Sequence, residues 1–261
     1  MQITIFYFSG TGNTEWVVKM TQEMLKGKNH QAEIYKIEEL MDGENEIISK
    51  TIEFSDYIGF AFPMYGADIP RIMRKFIDRF IALSNSDSHS SPKLFIINTF
   101  GYVNGCGIFR ARKLLRECRY PIHAYFNFRL PNNTSTKINR TMLGKNMPDS
   151  YKGKSTAKIE KLINSLAARK KTIQGIGPHL SMGIIIRRLL RDEVKTNYKN
   201  MSVNYSKCSK CMKCVKSCPT NSIEFADDKF TFKDTCETCW RCFTLCPTGS
   251  ISMNKKSQKQ I

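Results

Sequence analysis

The 261-residue sequence predicts an α/β protein, a doubly wound parallel sheet over the first two thirds followed by a small, cysteine-rich α+β unit. Three observations carry this expectation. Short β-branched and aromatic runs alternate with helix-period segments, the pattern of a parallel sheet covered on both faces. The first apolar run leads directly into a loop of glycines and hydroxyl residues. Eight of the ten cysteines fall between positions 208 and 246.

Taken in order, Ile3 to Phe8 read as a strand, Ser9-Gly10-Thr11-Gly12-Asn13-Thr14 as its loop, and Trp16, Val17, Met20, Met24 and Leu25 as the apolar face of the helix that follows. Further strands are expected over 31–37, 54–62, 93–100 and 122–129, with helices over 70–82 and 107–118. Ile159, Leu162, Ile163 and Leu166 place a last helix of the sheet domain over 155–171. Gly175, Gly177, Pro178 and Gly183 break the pattern, and 184–190, with Arg187, Arg188 and Arg191 in or beside it, reads as a short basic amphipathic helix. The expected organisation is a sheet domain over 1–171, a basic connection over 172–199, a cysteine-rich domain over 200–254 and a tail over 255–261.

The cysteines form two copies of one pattern. Cys208, Cys211, Cys214 and Cys218 followed by Pro219 read C-x2-C-x2-C-x3-C-P, and Cys236, Cys239, Cys242 and Cys246 followed by Pro247 repeat it 28 residues later. The repeat extends to C-P-T-N-S-I at 218–223 against C-P-T-G-S-I at 246–251. Such a run wraps three thiolates around a cubane, and in two-cluster chains its fourth cysteine ligates the other cluster. The expected ligands are Cys208, Cys211, Cys214 and Cys246 for one 4Fe-4S centre, and Cys236, Cys239, Cys242 and Cys218 for the second. The competing readings are structural zinc, which commonly uses two C-x2-C pairs, and a disulfide framework. Residues 203–252 resemble bacterial two-cluster ferredoxins. Those proteins often carry glycine just after the second cysteine of each run, where Met212 and Trp240 stand here. Trp240 reads either as a shield for a cluster or as core packing.

The loop at 9–14 leaves backbone amides free to converge on a phosphate at a helix N-terminus. No Gly-Lys-Ser/Thr follows, so it is not a Walker loop, and Glu15 at the third glycine position argues against a dinucleotide fingerprint. Its plain alternative is an ordinary strand-to-helix turn. Two more loops follow strands: Phe62-Pro63-Met64-Tyr65-Gly66 and Asn98-Thr99-Phe100-Gly101-Tyr102-Val103-Asn104-Gly105. Together the three resemble the flavodoxin loops that hold FMN. The resemblance implies Ser9, Thr11, Gly12, Asn13 and Thr14 at the phosphate. It places Pro63, Met64, Tyr65, Gly66, Thr99, Phe100, Gly101, Tyr102 and Gly105 around the isoalloxazine, with Tyr65 and Tyr102 as stacking candidates or exposed loop aromatics. The whole chain resembles flavodoxin–ferredoxin fusions of the iron-sulfur flavoprotein type, which implies a flavodoxin-like sheet domain, two 4Fe-4S clusters and FMN.

Charge is concentrated: the formal net charge is +18, and residues 152–199 alone carry 12 basic against 3 acidic side chains. A solvated face, a docking surface for an acidic redox partner, and contact with a membrane surface or nucleic acid compete to explain that belt. No nucleic-acid-binding module is visible. No apolar run approaches the ~18–20 residues of a membrane span, and the N-terminus lacks a basic lead-in, so a reducing cytoplasm is the expected location. Cys106 reads as a small buried residue near the expected flavin, with redox activity as the alternative. Cys118 and the histidines at 30, 89, 123 and 179 carry no assigned chemistry. The leading expectation is an electron carrier relaying single electrons between the clusters and FMN with a redox partner protein. The rival is an FMN-dependent oxidoreductase acting on a quinone, nitro compound or heme precursor and fed by its own clusters.

Overall fold

The computed structural model describes residues 1–41, 43–84, 91–101, 104, 106–131, 149–175, 185 and 196–253. Six parallel strands form one sheet in the order β2-β1-β3-β4-β5-β6: β1 (Gln2–Tyr7), β2 (Gln31–Lys36), β3 (Tyr57–Pro63), β4 (Lys93–Phe100), β5 (Ile122–Arg129) and β6 (Thr172–Ile173). The 2-1-3-4-5 order is that of the flavodoxin-like doubly wound fold, and its direction reverses between β1 and β3. Strands β1, β3 and β4 are buried nearly end to end, which is why their sequences lack polar alternation.

Helices cover both faces. One core packs α1 (Asn13–Gly27) and α6 (Asp149–Ala167) through Val17, Val18, Ile159 and Leu162 onto Ile3, Ile5 and Ile97. The other packs α2 (Ile37–Leu40), α3 (Asn45–Phe54), α4 (Arg71–Ser84) and α5 (Gly107–Leu114) around Phe6, Phe60, Phe76 and Phe80. Gly59 sits in the middle of β3 because the Phe95 ring lies over it; a Cβ there would come within 2.4 Å of that ring.

The structure departs from the sequence expectations at element ends. The segment before β3 is helical, so that strand begins at Tyr57 rather than 54, and the helix expected over 107–118 tightens into a 3-10 turn at Leu115–Glu117. The last helix starts at Asp149, six residues early, and Thr172–Ile173 adds a short sixth strand. Most of the basic segment expected to be helical over 184–190, including Arg187 and Arg188, lies outside the described residues, as do Arg191 and the tail.

The C-terminal unit holds two antiparallel pairs: β7 (Met201–Val203) with β10 (Ile251–Met253), from its two ends, and the hairpin of β8 (Ile223–Ala226) with β9 (Lys229–Phe232). Two short helices, α7 (Lys213–Lys216) and α8 (Arg241–Leu245), follow the second cysteine of each run. This is the expected small α+β ferredoxin architecture. Among the described residues no helix is long and apolar enough to cross a membrane.

Candidate functional site

Backbone conformation first explains how the cysteine loops form. Both runs place the residues flanking their second cysteine in the left-handed region: Lys210 (φ 49°) and Met212 (φ 56°) around Cys211, Thr238 (φ 52°) and Trp240 (φ 63°) around Cys239. Met212 and Trp240 accept the strained conformation that glycine would occupy more cheaply. Trp240 also packs edge-on to Phe243, with ring centroids 5.4 Å apart. After each fourth cysteine, Asn221 (φ 49°) and Gly249 (φ 62°) occupy another left-handed position, so the one difference between C-P-T-N-S-I and C-P-T-G-S-I is an exchange of the two residues best suited to it.

The repeat is reproduced in its hydrogen bonds. The Ser222 amide donates to Cys218 Sγ and the Ser250 amide to Cys246 Sγ, each at 3.2 Å. Thr220 and Thr248 bridge from those sulfurs to the hydroxyls of Ser222 and Ser250. Amides aimed at sulfur stabilise thiolate character and tune whatever the sulfur ligates.

The fourth cysteines cross over. Cys208, Cys211, Cys214 and Cys246 line one cavity, and Cys218, Cys236, Cys239 and Cys242 line another. The thiols ring a space and do not meet at a point: among the described residues no three His, Cys, Asp or Glu side chains close on a single-ion site. The two quartets differ in environment. Cys211 is exposed, and the Lys213 amide lowers its thiol pKa. Cys239 and Cys242 are buried; desolvation pushes Cys239 up to about 12 and raises Cys242 further. In Cys246 burial acts to raise the thiol, but hydrogen bonds from Thr248, Ser250 and Ile251 together hold it below its usual value.

The second run does not stand apart from the sheet domain. Its loop 236–242 sits on the carboxyl ends of β1 and β3, where ligands bind in this fold. Glu237, its side chain 5% exposed, accepts the Arg71 and Ile72 amides at 2.9 Å each and so caps the N-terminus of α4. Pro70, which precedes that helix, offers no side-chain acceptor of its own. The Arg71 guanidinium reaches back to the carbonyls of Asp234 and Cys236 at 2.8 and 2.7 Å. Burial raises the Glu237 carboxyl pKa, while the Arg71 amide and guanidinium pull it down.

On the other side of the loop, Arg241 donates to the Ser9 carbonyl at 2.7 Å, pairs with Glu38 and lies 5.7 Å from the centroid of the Phe8 ring. Between these anchors the backbones touch. A Cβ on Gly10 would fall 2.4 Å from the Cys239 carbonyl oxygen and 2.2 Å from the Tyr65 hydroxyl. Cys239 is therefore part of the sheet domain's own core.

The expected flavin loops converge on the same edge. Gly12 (φ 93°) begins α1, and its amide donates to Ser9 Oγ at 3.2 Å. Thr14 and Thr99 hydroxyls meet at 2.8 Å, and Asn13 donates to the Pro131 carbonyl at 2.9 Å. These hydroxyls gather around the start of a 15-residue helix, with the Gly12 amide engaged by Ser9 and the Thr14 hydroxyl by Thr99. Tyr65 to Asp68 form a tight turn closed by mutual amide–carbonyl bonds of 3.0 Å, with Gly66 and Ala67 both left-handed at φ 56° and 59°. Asp68 is held by Arg110 at 2.9 Å, and the Met64 amide donates to the Thr99 carbonyl at 2.9 Å, which ties the loops beyond Pro63 and Phe100 together. Gly101 lies just beyond β4. Tyr102 and Gly105 lie outside the described residues. Tyr65 has its ring edge-on to Phe8 and its hydroxyl against the Gly10 backbone; burial raises its phenol pKa well above the usual value. At the end of β4, neither amide atom of the fully buried Asn98 has a partner among the described residues.

Glu237, Arg241, Arg71 and Glu38 were not among the expected site residues. One signal for the first two was in the sequence: the matching positions of the first run hold Ser209 and Lys213, so the repeat breaks where the second run meets the sheet domain. Gly10 belongs to the expected loop, but its lack of a side chain serves the approach of Cys239.

Residues 201–224 match the 4Fe-4S binding domain family. No curated protein matches the chain. Among solved structures, the chain is similar to rubredoxin oxygen:oxidoreductase from the anaerobe Desulfovibrio gigas at 13% identity and a TM-score of 0.44, covering 64% of this chain and 36% of that one. It thus spans little more than a third of that protein's length. It is also similar to Megasphaera elsdenii flavodoxin (16% identity, TM-score 0.40, 48% of this chain and 85% of that one). A third likeness is to NAD(P)H:quinone oxidoreductase from Methanothermobacter marburgensis (13%, 0.41, 64% and 96%). The order and direction of the strands define the fold: a flavodoxin-like domain is joined here to a ferredoxin-type 4Fe-4S segment.

The contact at Gly10 yields a direct test. Gly10→Ala adds a methyl where the Cys239 carbonyl and Tyr65 hydroxyl lie, an overpacking that costs about 1–3 kcal/mol. Amide hydrogen exchange over 236–242 is expected to speed by about tenfold or more, with the cores of α1 and α6 unchanged. Unchanged exchange in that loop would show that the two backbones are not in contact.

Proposed function

We propose that this chain is a cytoplasmic electron-transfer iron-sulfur flavoprotein in which two 4Fe-4S clusters and FMN exchange single electrons. The observation that carries the reading is the seating of loop 236–242 on the edge where the phosphate-type loop and the Tyr65 turn converge. When bound, clusters exchange one electron each and a flavin one or two, so such a fusion joins one-electron carriers to two-electron chemistry.

The residues divide the work. Cys208, Cys211, Cys214 and Cys246 would hold the outer cluster, and Cys218, Cys236, Cys239 and Cys242 the inner one. The crossed arrangement means that neither site forms until both halves of the domain have folded. Ser9, Thr11, Gly12, Asn13 and Thr14 would take the FMN phosphate on hydroxyls and on the N-terminus of α1. The loops from Pro63 to Gly66 and from Thr99 to Gly101, continued by Tyr102 and Gly105, would flank the ring. The Asn98 amide, buried without a partner among the described residues, is the kind of orphan a polar ligand satisfies. Glu237 and Arg241 fix the loop's place, and Gly10, Tyr65 and Cys239 pack directly against one another where the inner site meets the sheet domain's loops.

Cluster assignment is tested on anaerobically reconstituted protein. The two ligand sets predict about eight iron and eight acid-labile sulfide per chain. Cys218→Ser is expected to alter the magnetic signature of the cluster held by Cys236, Cys239 and Cys242 and to leave the other intact. Loss confined to the centre held by Cys208, Cys211 and Cys214 would contradict the crossed assignment, and tightly bound zinc without a cubane spectrum would remove it.

The phosphate site is tested by affinity. FMN is expected to bind much more tightly than riboflavin, and joint replacement of Thr11 and Thr14 by Val to weaken FMN by about 2–4 kcal/mol while leaving riboflavin nearly unchanged. Equal affinity of the unaltered protein for the two flavins would rule the site out.

A further inference from the structure

The two cysteine runs are near copies, yet they meet different surroundings. In the second run, the positions around the middle cysteine are committed to the sheet domain: Glu237 and Cys239 are buried, and Trp240 and Arg241 are half-buried. In the first run, the matching Ser209, Cys211 and Lys213 are all exposed and Met212 is half-buried. The surface that the second run uses to dock is therefore open in the first, and its charge is different. Glu237 becomes Ser209, and the flanking residues add Lys207 and Lys216, both exposed.

Lys207, Lys213 and Lys216 form no ion pair with any described residue, whereas Lys210 is neutralised by Asp228 at 2.7 Å. Three cations without an ion pair among the described residues thus flank in sequence the most exposed of the eight cluster-type cysteines, and Lys213 lines the same cavity as Cys211. Surface lysines are ordinarily a solvated face, but these three come from a span of ten residues that also holds three thiols. A small patch that combines a positive field with an exposed cysteine suits a brief, salt-sensitive encounter more than a tight complex.

We propose that the face around Cys211, rimmed by Lys207, Lys213 and Lys216, is the docking surface for an acidic one-electron carrier protein. This deepens the functional reading above and rests on it. It assigns the outer quartet to external partners and leaves the inner quartet to the sheet domain. It places the contact with an acidic partner on the first cysteine run, where the belt at 152–199 offered such docking as one of three competing readings.

The test uses the reconstituted full chain. The probe is an acidic 2Fe-2S ferredoxin, with cytochrome c as its basic counterpart. Association of the oxidised proteins is followed by fluorescence anisotropy, and their encounter by stopped flow. A triple variant, Lys207→Gln, Lys213→Gln and Lys216→Gln, is compared with a control triple on the α1/α6 face, Lys26→Gln, Lys161→Gln and Lys170→Gln. The first triple is expected to slow association with the acidic ferredoxin about tenfold at low salt, with the difference vanishing near 0.5 M salt and the control triple behaving as the unaltered protein. Equal loss in both triples would mean that only net charge matters, and no loss in the first would return these lysines to a solvated face; either result overturns the proposal. Cytochrome c binding as well as the acidic ferredoxin would also overturn it. Iron and sulfide are measured on every variant. If the unaltered chain fails to assemble clusters, the functional reading falls and this surface with it; if clusters are intact and only the docking pattern fails, the surface alone is wrong.

Discussion

A carboxylate from the C-terminal unit caps a helix of the sheet domain, and the seating of the second cysteine run on that domain depends on it. Glu237 fills the role that a Ser, Thr or Asp normally plays at the start of a helix, at a helix whose own preceding residue is Pro70. A buried carboxylate is costly unless its oxygens are fully used, and here two amides and the Arg71 guanidinium use them. The consequence is directional: a charge that is satisfied in only one pose specifies that pose. With Arg241 anchored on Ser9 and Glu38 at the opposite end, the seven residues from Cys236 to Cys242 are held at both ends across the β1/β3 edge.

The same constraint accounts for the division between the two quartets. The small unit has little core of its own: among the described residues its separate cluster buries Ile223, Cys242 and Ile251, supported by partly buried neighbours such as Val203, Phe230 and Phe232. A unit of this size usually needs metals or a partner surface for stability, and this one has both available. Docking buries the second run and leaves the first exposed, so an internally repeated sequence gains an inside and an outside. That polarity is what the proposed relay would require, with one end sheltered against the sheet domain and the other reachable by a partner.

Much of this was legible in the sequence, for identifiable reasons. Strands β1, β3 and β4 announced themselves as continuous apolar runs because both their faces are covered. The cysteine spacing indicated the two quartets that line separate cavities, because the repeated run sets where each thiol falls in its loop. The α3 helix escaped notice because only Ile48, Thr51 and Ile52 of its ten residues are buried, too narrow a stripe to register as a period. The β6 strand escaped because two residues carry no alternation. The roles of Glu237 and Arg241 depend on partners more than 160 residues away, a relation that no local pattern encodes. Gly10 shows a subtler miss: its presence suggested close approach to a phosphate, and the structure shows close approach to another backbone.

The proposed internal path runs between the inner quartet and the loops at the β1/β3 edge. It is tested most directly by reducing the clusters of the reconstituted chain with a flash-generated reductant and following flavin absorbance across a wide range of protein concentration. The seating of loop 236–242 predicts that FMN reduction is first order, at a rate independent of concentration, and slower and concentration-dependent when the two domains are supplied as separate chains. A rate that rises in proportion to concentration in the intact chain would mean that electrons pass between molecules, and would contradict the account.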